Sequence, residues 1–170
     1  MGNREHNRKL VFSSKEKRYE TPPALFDALD EHFHFDLDAA ASDQNALCDR
    51  WLTEVEDGLN TPWIDFNTFC NPPYGIGMTG RWVQKAYDES LKDECDKVLL
   101  IPAKTETLYF DIAAKHAAEI YFIKGRLKFY RNGIEEKNAA GFPSAIVVFN
   151  RNRNGTRDIR WVDRVFQEMW

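Results

Sequence analysis

The chain has 170 residues, of which 43% are hydrophobic and 29% charged, with a formal net charge of −4. That composition fits one ordinary globular domain and excludes a wholly disordered, collagenous or coiled-coil chain. No apolar run approaches the roughly 18 residues that a membrane helix needs. The opening MGNREHNRKLVFSS has no apolar core of signal-peptide length. Cys48, Cys70 and Cys95 form no C-x-x-C pair, which argues against a disulfide scaffold or zinc cage and for a reducing, cytoplasmic setting. The charge is partitioned: residues 1–20 carry +3, 21–123 carry −12 and 124–170 carry +5. The acidic balance argues against a nonspecific nucleic-acid coat, yet the two basic ends leave room for a local basic face.

In chain order, residues 1–18 read as a basic, flexible N-terminal arm and 19–170 as one domain. Thr21-Pro22-Pro23 opens a helix, with Thr21 as its N-cap and proline in the first turn. Leu25, Phe26, Leu29 and Phe33 form its apolar face. A strand follows and ends near Asp38. Arg50–Thr53 reads as a short strand and Asp57-Gly58-Leu59 as a turn. Phe69-Cys70 ends another strand, and a helix carrying Val83, Tyr87 and Leu91 comes next. Lys97–Ile101 is a short apolar run of the buried-strand type. Thr105 is the expected cap of a helix reaching His116. Glu119–Ile123 and Ala145–Phe149 are the last clear strands; with no helical pattern between them, they are expected to be antiparallel neighbours. Strands alternating with helices predict an α/β fold with a mostly parallel sheet.

The strongest chemical signal is Asn71-Pro72-Pro73-Tyr74 at a strand end. Two prolines remove two backbone donors and fix φ twice, holding the Pro72 carbonyl in a stiff loop beside the Asn71 amide oxygen. Two convergent acceptors suit a planar amine, and Tyr74 offers a flat face for a ring. On these four residues alone, a strand-ending turn with an exposed tyrosine explains the pattern equally well. Gly75-Ile76-Gly77-Met78-Thr79-Gly80 matches a dinucleotide-binding fingerprint. The next strand, however, ends Ile101-Pro102-Ala103-Lys104 without the ribose-binding acid, so it reads as a loop beside the target. His6, His32, His34 and His116 show no metal-ligand spacing, and no metal is expected.

Several blocks stand in order along the chain: FSSK (12–15), ETPPALFDAL (20–29), FDLDAAAS (35–42), NALC (45–48), DGL (57–59), CNPPYG (70–75), PAKTET (102–107), IKGRLKF (123–129) and FPSAIVVF (142–149). In these the chain resembles the phage-type DNA N6-adenine methyltransferases, a Dam-like family with the NPPY motif. The likeness runs from Phe12 to Phe149. It departs at Tyr19, where relatives often carry Trp, and at Ala39-Ala40-Ala41, where methyltransferases usually have G-x-G.

The resemblance implies a seven-stranded Rossmann-like, S-adenosylmethionine-dependent methyltransferase fold, mostly parallel with an antiparallel final strand and no separate target-recognition domain. It implies S-adenosylmethionine in a cleft lined by Thr21, Pro22, Asp36, Asp38 and Ala39. There Asp38 would face the methionine ammonium, Asp57 the cofactor's adenine amine, and Leu59 its ring. Transfer would go to adenine N6 in DNA, most simply double-stranded with one base flipped out and held by Asn71, Pro72, Pro73 and Tyr74. Phe142, or failing it Phe129, would supply a further aromatic. Lys104, Thr105 and Arg126 would lie along the DNA, as would arm residues Arg8, Lys9, Lys15, Lys17 and Arg18; Arg151, Arg153 and Arg157 are weaker candidates. Other planar amines (RNA adenine, cytosine N4, a protein glutamine), a dinucleotide enzyme and a nonenzymatic DNA-binding protein are the alternatives.

Overall fold

The computed structural model describes residues 19–155 and 158–169. The arm, the FSSK block, Lys15, Lys17 and Arg157 lie outside them. At the centre are β4 (Lys97–Pro102) and β8 (Ser144–Phe149), antiparallel and buried throughout. Around them the sheet runs β2 (Arg50–Trp51), β1 (Leu37–Asp38), β3 (Thr68–Cys70), β4, β8, β5 (Glu119–Ile123), β9 (Asp158–Val162). β2, β1, β3 and β4 are mutually parallel. β8 runs against both β4 and β5, as expected for the 119–123 and 145–149 strands. The antiparallel strand is not the last, however. β9 adds beyond it, parallel to β5. Its residues Asp-Ile-Arg-Trp-Val are mostly exposed, so it carries no buried-strand pattern.

Period-two alternation divides the core. Phe69, Val98, Leu100, Ile146 and Val148 face helix α1 (Pro23–Phe33), which contributes Leu25, Phe26, Leu29 and Phe33. Cys70, Leu99, Ile101, Ala145 and Val147 face the opposite side, where α2 (Met78–Ser90) and α3 (Leu108–His116) bring Trp82, Val83, Phe110 and Ala113. Lys97, at 0% exposure, opens β4 within this core. Its ammonium is satisfied by both Asp93 oxygens (3.0 and 3.1 Å) and the Phe66 carbonyl (2.8 Å), which removes the penalty of an unpaired buried charge.

Two expected caps are placed differently. Pro22 is the N-cap of α1, with no side-chain cap bond, because the Thr21 hydroxyl is used elsewhere. α3 is capped by Thr107, which accepts from the Phe110 amide, and not by the exposed Thr105. The stretch between β5 and β8, which shows no helical pattern in the sequence, contains a hairpin of β6 (Tyr130–Arg131) and β7 (Ile134–Glu135). Its Asn132-Gly133 turn has positive φ at both residues (51° and 74°), the geometry of a two-residue hairpin turn. The Glu20 carboxylate accepts from the amides of Asn132 and Gly133, both at 2.9 Å, and the Glu20 backbone pairs with Tyr130.

The chain ends of β1, β3, β4 and β5 and the start of β8 share one edge, a consequence of the strand directions. β1 has β2 on one side and β3 on the other. Successive connections leave in opposite directions there, making the topological switch point at which α/β sheets bind ligands. The turn at 57–61 is packed onto that point: a Cβ on Gly58 would stand 2.2 Å from the Ala39 carbonyl oxygen and 2.9 Å from the Trp82 ring. Gly58→Ala should therefore destabilise the fold by about 1–3 kcal/mol, the usual range for overpacking. Urea unfolding at constant m-value measures it; an unchanged midpoint would mean that the turn gives way freely.

Candidate active site

Asn71 follows β3 directly, so its place at the switch-point edge is set by the sheet. Its orientation is set by hydrogen bonds. Nδ2 donates to the Tyr19 carbonyl oxygen (2.6 Å) and to Thr21 Oγ1 (3.0 Å), while Oδ1 accepts from the Tyr74 hydroxyl (2.7 Å). The same hydroxyl lies 2.9 Å from the Leu100 carbonyl oxygen. One proton therefore serves two acceptors. Burial holds the Tyr74 phenol well above its ordinary pKa, so it remains a donor.

Tyr74 sits in a cluster of four rings. Tyr19 lies 5.5 Å from it, Phe142 5.6 Å and Phe129 6.2 Å, and Tyr19 also meets Phe129 at 4.9 Å and Phe142 at 5.4 Å. These centroid distances are those of ordinary aromatic pairs. Phe129 is 1% exposed and belongs to the core beneath the site. Phe142 is half-buried and lines an open cleft of about 1070 Å³. Of the two aromatics singled out from sequence, only Phe142 presents surface to that cleft. Pro72 is buried and Pro73 half-buried.

The cleft is also lined by Leu59, Tyr74, Ile76, Lys104 and Leu108. Gly75–Gly77 forms its rim as a turn leading into α2. Lys104 and Thr105 are both exposed just past β4. Arg126 is exposed past the end of β5, on the same edge.

Asp38 ends β1 at 3% exposure. Its oxygens accept from the amides of Ala40 (3.4 Å) and Leu47 (3.2 Å). Desolvation outweighs these bonds and pushes its carboxyl up to about 6. Ala39 beside it is fully buried. Asp57 has positive φ (55°) and uses its carboxylate within its own turn, accepting from the Leu59 amide (3.2 Å) and from Asn60 Nδ2 (2.7 Å). Pro22, next to Thr21, is the N-cap of α1.

Three sequence expectations are displaced. Thr21, expected to cap α1, accepts from Asn71 Nδ2 through its hydroxyl instead. Asp36 enters β1 from the far end, where its carboxylate accepts from the Asn67 amide (3.1 Å); it braces the start of β1 against β3 and does not reach the ligand edge. Arg151 and Arg153 follow β8, which runs away from that edge. They pair there with Glu94 (3.1 Å) and Asp96 (3.1 Å). The site residue that sequence reasoning missed is Tyr19. It was marked only as an aromatic departure, yet it supplies both a ring and the carbonyl that holds Asn71.

A sequence profile of the family described as DNA N-6-adenine-methyltransferase (Dam) matches residues 10–167. Among curated proteins, the DNA N-6-adenine-methyltransferase of Haemophilus phage HP1 (strain HP1c1) is 28% identical over 133 residues, 76% of each chain. That of Escherichia phage T1 is 33% identical over 94 residues, 55% of this chain but 38% of the relative. With a profile match across nearly the whole chain, over a sheet whose switch-point edge carries Asn71-Pro72-Pro73-Tyr74, the protein belongs to the DNA N-6-adenine-methyltransferase (Dam) family.

Proposed function

We propose that this adenine-specific DNA methyltransferase takes its methyl group from S-adenosylmethionine and acts on an adenine swung out of double-stranded DNA. Residues 19–170 would do so as one domain. The observation that carries the reading is the fixed Asn71 amide, whose oxygen faces Tyr74 at the switch-point edge.

The residues present fit the cofactor. Asp38 is a buried carboxylate at a strand end with no cationic partner among the described residues, the donor chemistry that an ammonium would complete. Leu59 offers an apolar surface in the adjoining cleft. Because the Asp57 oxygens already serve their own turn, any bond to an adenine amine would be an additional one. When bound, the cofactor supplies an electrophilic methyl on sulfur.

The rest of the chemistry belongs to the chain. An adenine N6 lone pair is delocalised into the ring, which makes the amine a poor nucleophile. Asn71 Oδ1, aided by the Pro72 carbonyl, would accept N6 hydrogens and favour a pyramidal nitrogen. That preference grows as positive charge develops on N6, so it stabilises the transition state more than the ground state. In the structure the Tyr74 hydroxyl occupies Asn71 Oδ1. That leaves one lone pair of Oδ1 for an entering amine, and displacing the O–H as well would exchange one hydrogen bond for another while Tyr74 turns its ring to the base. Extrusion costs a few kcal/mol, offset by stacking. The half-buried Phe142 is the second ring placed to take part.

For the DNA, the exposed Arg126 and Lys104 lie on the same edge as Asn71, whereas Arg151 and Arg153 lie on the opposite one. No helix among the described residues is long and apolar enough to cross a membrane. An enzyme acting on phage or host DNA would work in the cytoplasm of a bacterial host, the setting this reading proposes.

Three outcomes test this reading. First, Asp38→Ala should weaken S-adenosylmethionine binding by about 1.5–3 kcal/mol, the worth of a charged hydrogen bond. The Asp38 carboxyl is raised to about 6, and only its ionised form attracts the ammonium. Wild-type affinity should thus be flat above that pH and fall as pH drops below it, by up to about tenfold per unit. Calorimetry from pH 5 to 8 reads both; a flat wild-type profile, or full affinity in Asp38→Ala, removes Asp38 from the site.

Second, Asn71→Ala should abolish transfer while sparing cofactor binding. Tyr74→Ala should weaken capture of the base by about 1–3 kcal/mol. Tyr74→Phe, which keeps the ring and frees Asn71 Oδ1, should stay close to wild type. A target adenine in a mismatch flips more cheaply, so it should partly rescue Tyr74→Ala but not Asn71→Ala. Equal rescue of both would defeat the division of roles, and methylation of RNA or cytosine in preference to DNA adenine would defeat the substrate.

Third, Arg126→Ala should reduce the slope of log DNA affinity against log salt by about 0.9, one phosphate contact. Arg151→Ala should leave the slope unchanged. The reverse pattern would put the DNA on the opposite edge of the sheet.

A further inference from the structure

Asn71 is gripped from behind by two acceptors. The Tyr19 carbonyl lies 2.6 Å from Nδ2 and Thr21 Oγ1 lies 3.0 Å from it. A carbonyl oxygen cannot donate, so the Asn71 atom facing it must be the NH₂ group. Turning the amide over would set Oδ1 against the Tyr19 oxygen, acceptor against acceptor, at hydrogen-bond distance. Oδ1 is thus forced toward Tyr74, on the side where a target amine would enter.

The bracket itself is stiff. On one side of it, Glu20 is paired through its backbone with Tyr130 and through its carboxylate with the hairpin turn. On the other, Pro22 is the N-cap and Pro23 the first residue of α1, whose apolar face is locked into the core. Thr21 is 6% exposed and caps no helix; its hydroxyl is turned to Asn71.

We infer that Thr21 is a positioning residue: with the Tyr19 carbonyl it fixes the plane of the Asn71 amide, and together they make position 71 accept an amide and reject a carboxylate. This rests on the reading that Asn71 contacts the target amine. Thr21 then acts through Asn71 and does not hold the cofactor. A carboxylate at 71 would be at least as good an acceptor for N6 hydrogens. It would, however, bring a charged oxygen against the Tyr19 carbonyl, which no rotation of the Thr21 hydroxyl relieves.

Steady-state methylation of unmethylated duplex DNA tests the inference, with Thr21→Val, Thr21→Ser and Asn71→Asp beside wild type. Thr21→Val should lower kcat by about tenfold or more while the DNA KM and the cofactor Kd stay within about threefold, the signature of a group that acts in the transition state. Thr21→Ser, which keeps the hydroxyl, should recover most of kcat. Asn71→Asp should fall below Thr21→Val. Unchanged kcat in Thr21→Val overturns the inference, as does a defect confined to cofactor Kd.

A second readout needs no turnover. In ¹⁵N spectra of the free protein, both Asn71 side-chain amide protons should show the small temperature coefficients of hydrogen-bonded protons, and Thr21→Val should shift one and leave the other. If either proton behaves as free in wild type, the inference fails even where Thr21→Val does not fold. A wild-type protein that methylates no DNA adenine would sink the functional reading alone, with these resonances still deciding the role of Thr21.

Discussion

The bond from the Asn71 side chain to the Tyr19 carbonyl spans 52 positions of sequence and joins the two halves of the site. At the β3 end it fixes the direction of the amide oxygen. At the N-terminal end it holds the 19–22 segment across the sheet edge, where the Tyr19 ring completes the cluster with Tyr74, Phe129 and Phe142. The same segment reaches outward through Glu20 to the 130–135 hairpin. A displacement of Tyr19 would therefore loosen the amide, the aromatic floor and the hairpin together. Polar groups in a half-buried setting are expensive to leave unpaired, which keeps these three parts in one arrangement.

The direction of β8 decides which charges face the ligand edge. Since β8 runs against β4 and β5, Phe142 and Pro143 arrive at the edge that carries Asn71, and Arg151 and Arg153 leave at the far one. There the acidic turn before β4 meets them, through Glu94 and Asp96. The positive balance of the C-terminal stretch is thus divided. Lys124 and Arg126, past β5, stand exposed on the ligand edge. Arg151, Arg153 and Arg160, the last bonded to Asp158 and Glu168, sit among acids.

Asp38 carries a stability cost set by its burial. Its carboxyl is raised from 3.8 to about 6 by burial, so the folded protein holds that proton more tightly than the unfolded chain. Stability from this group consequently declines as pH rises from about 4 to 6 and is lowest where the carboxylate is fully charged. The cost is on the order of 3 kcal/mol at neutral pH. Two backbone amides are its only hydrogen-bond donors among the described residues, and no cation among them offsets its burial. Lys97, equally buried, is supplied with three oxygens by the chain itself and marks a purely structural position.

Much of this was determined by the sequence alone. The apolar spacing of Leu25, Phe26, Leu29 and Phe33 defined α1 and its buried face. The short apolar runs at 97–101, 119–123 and 145–149 defined the central strands. Asn71-Pro72-Pro73-Tyr74, together with the ordered blocks around it, pointed to the chemistry. These signals are local, resting on periodicity, proline geometry and contiguous motifs. β9 was hidden because an edge strand exposed to solvent has no buried pattern, and the 130–135 hairpin because its strands are two residues each. What Thr21, Asp36 and Arg151 do depended on partners 31 to 57 positions away: Thr21 meets Asn71, Asp36 meets Asn67, Arg151 meets Glu94. Side chains that could each have capped a helix, bound a ligand or faced solvent were assigned by the tertiary structure, because only the sheet order and strand directions bring their hydrogen-bond partners within reach.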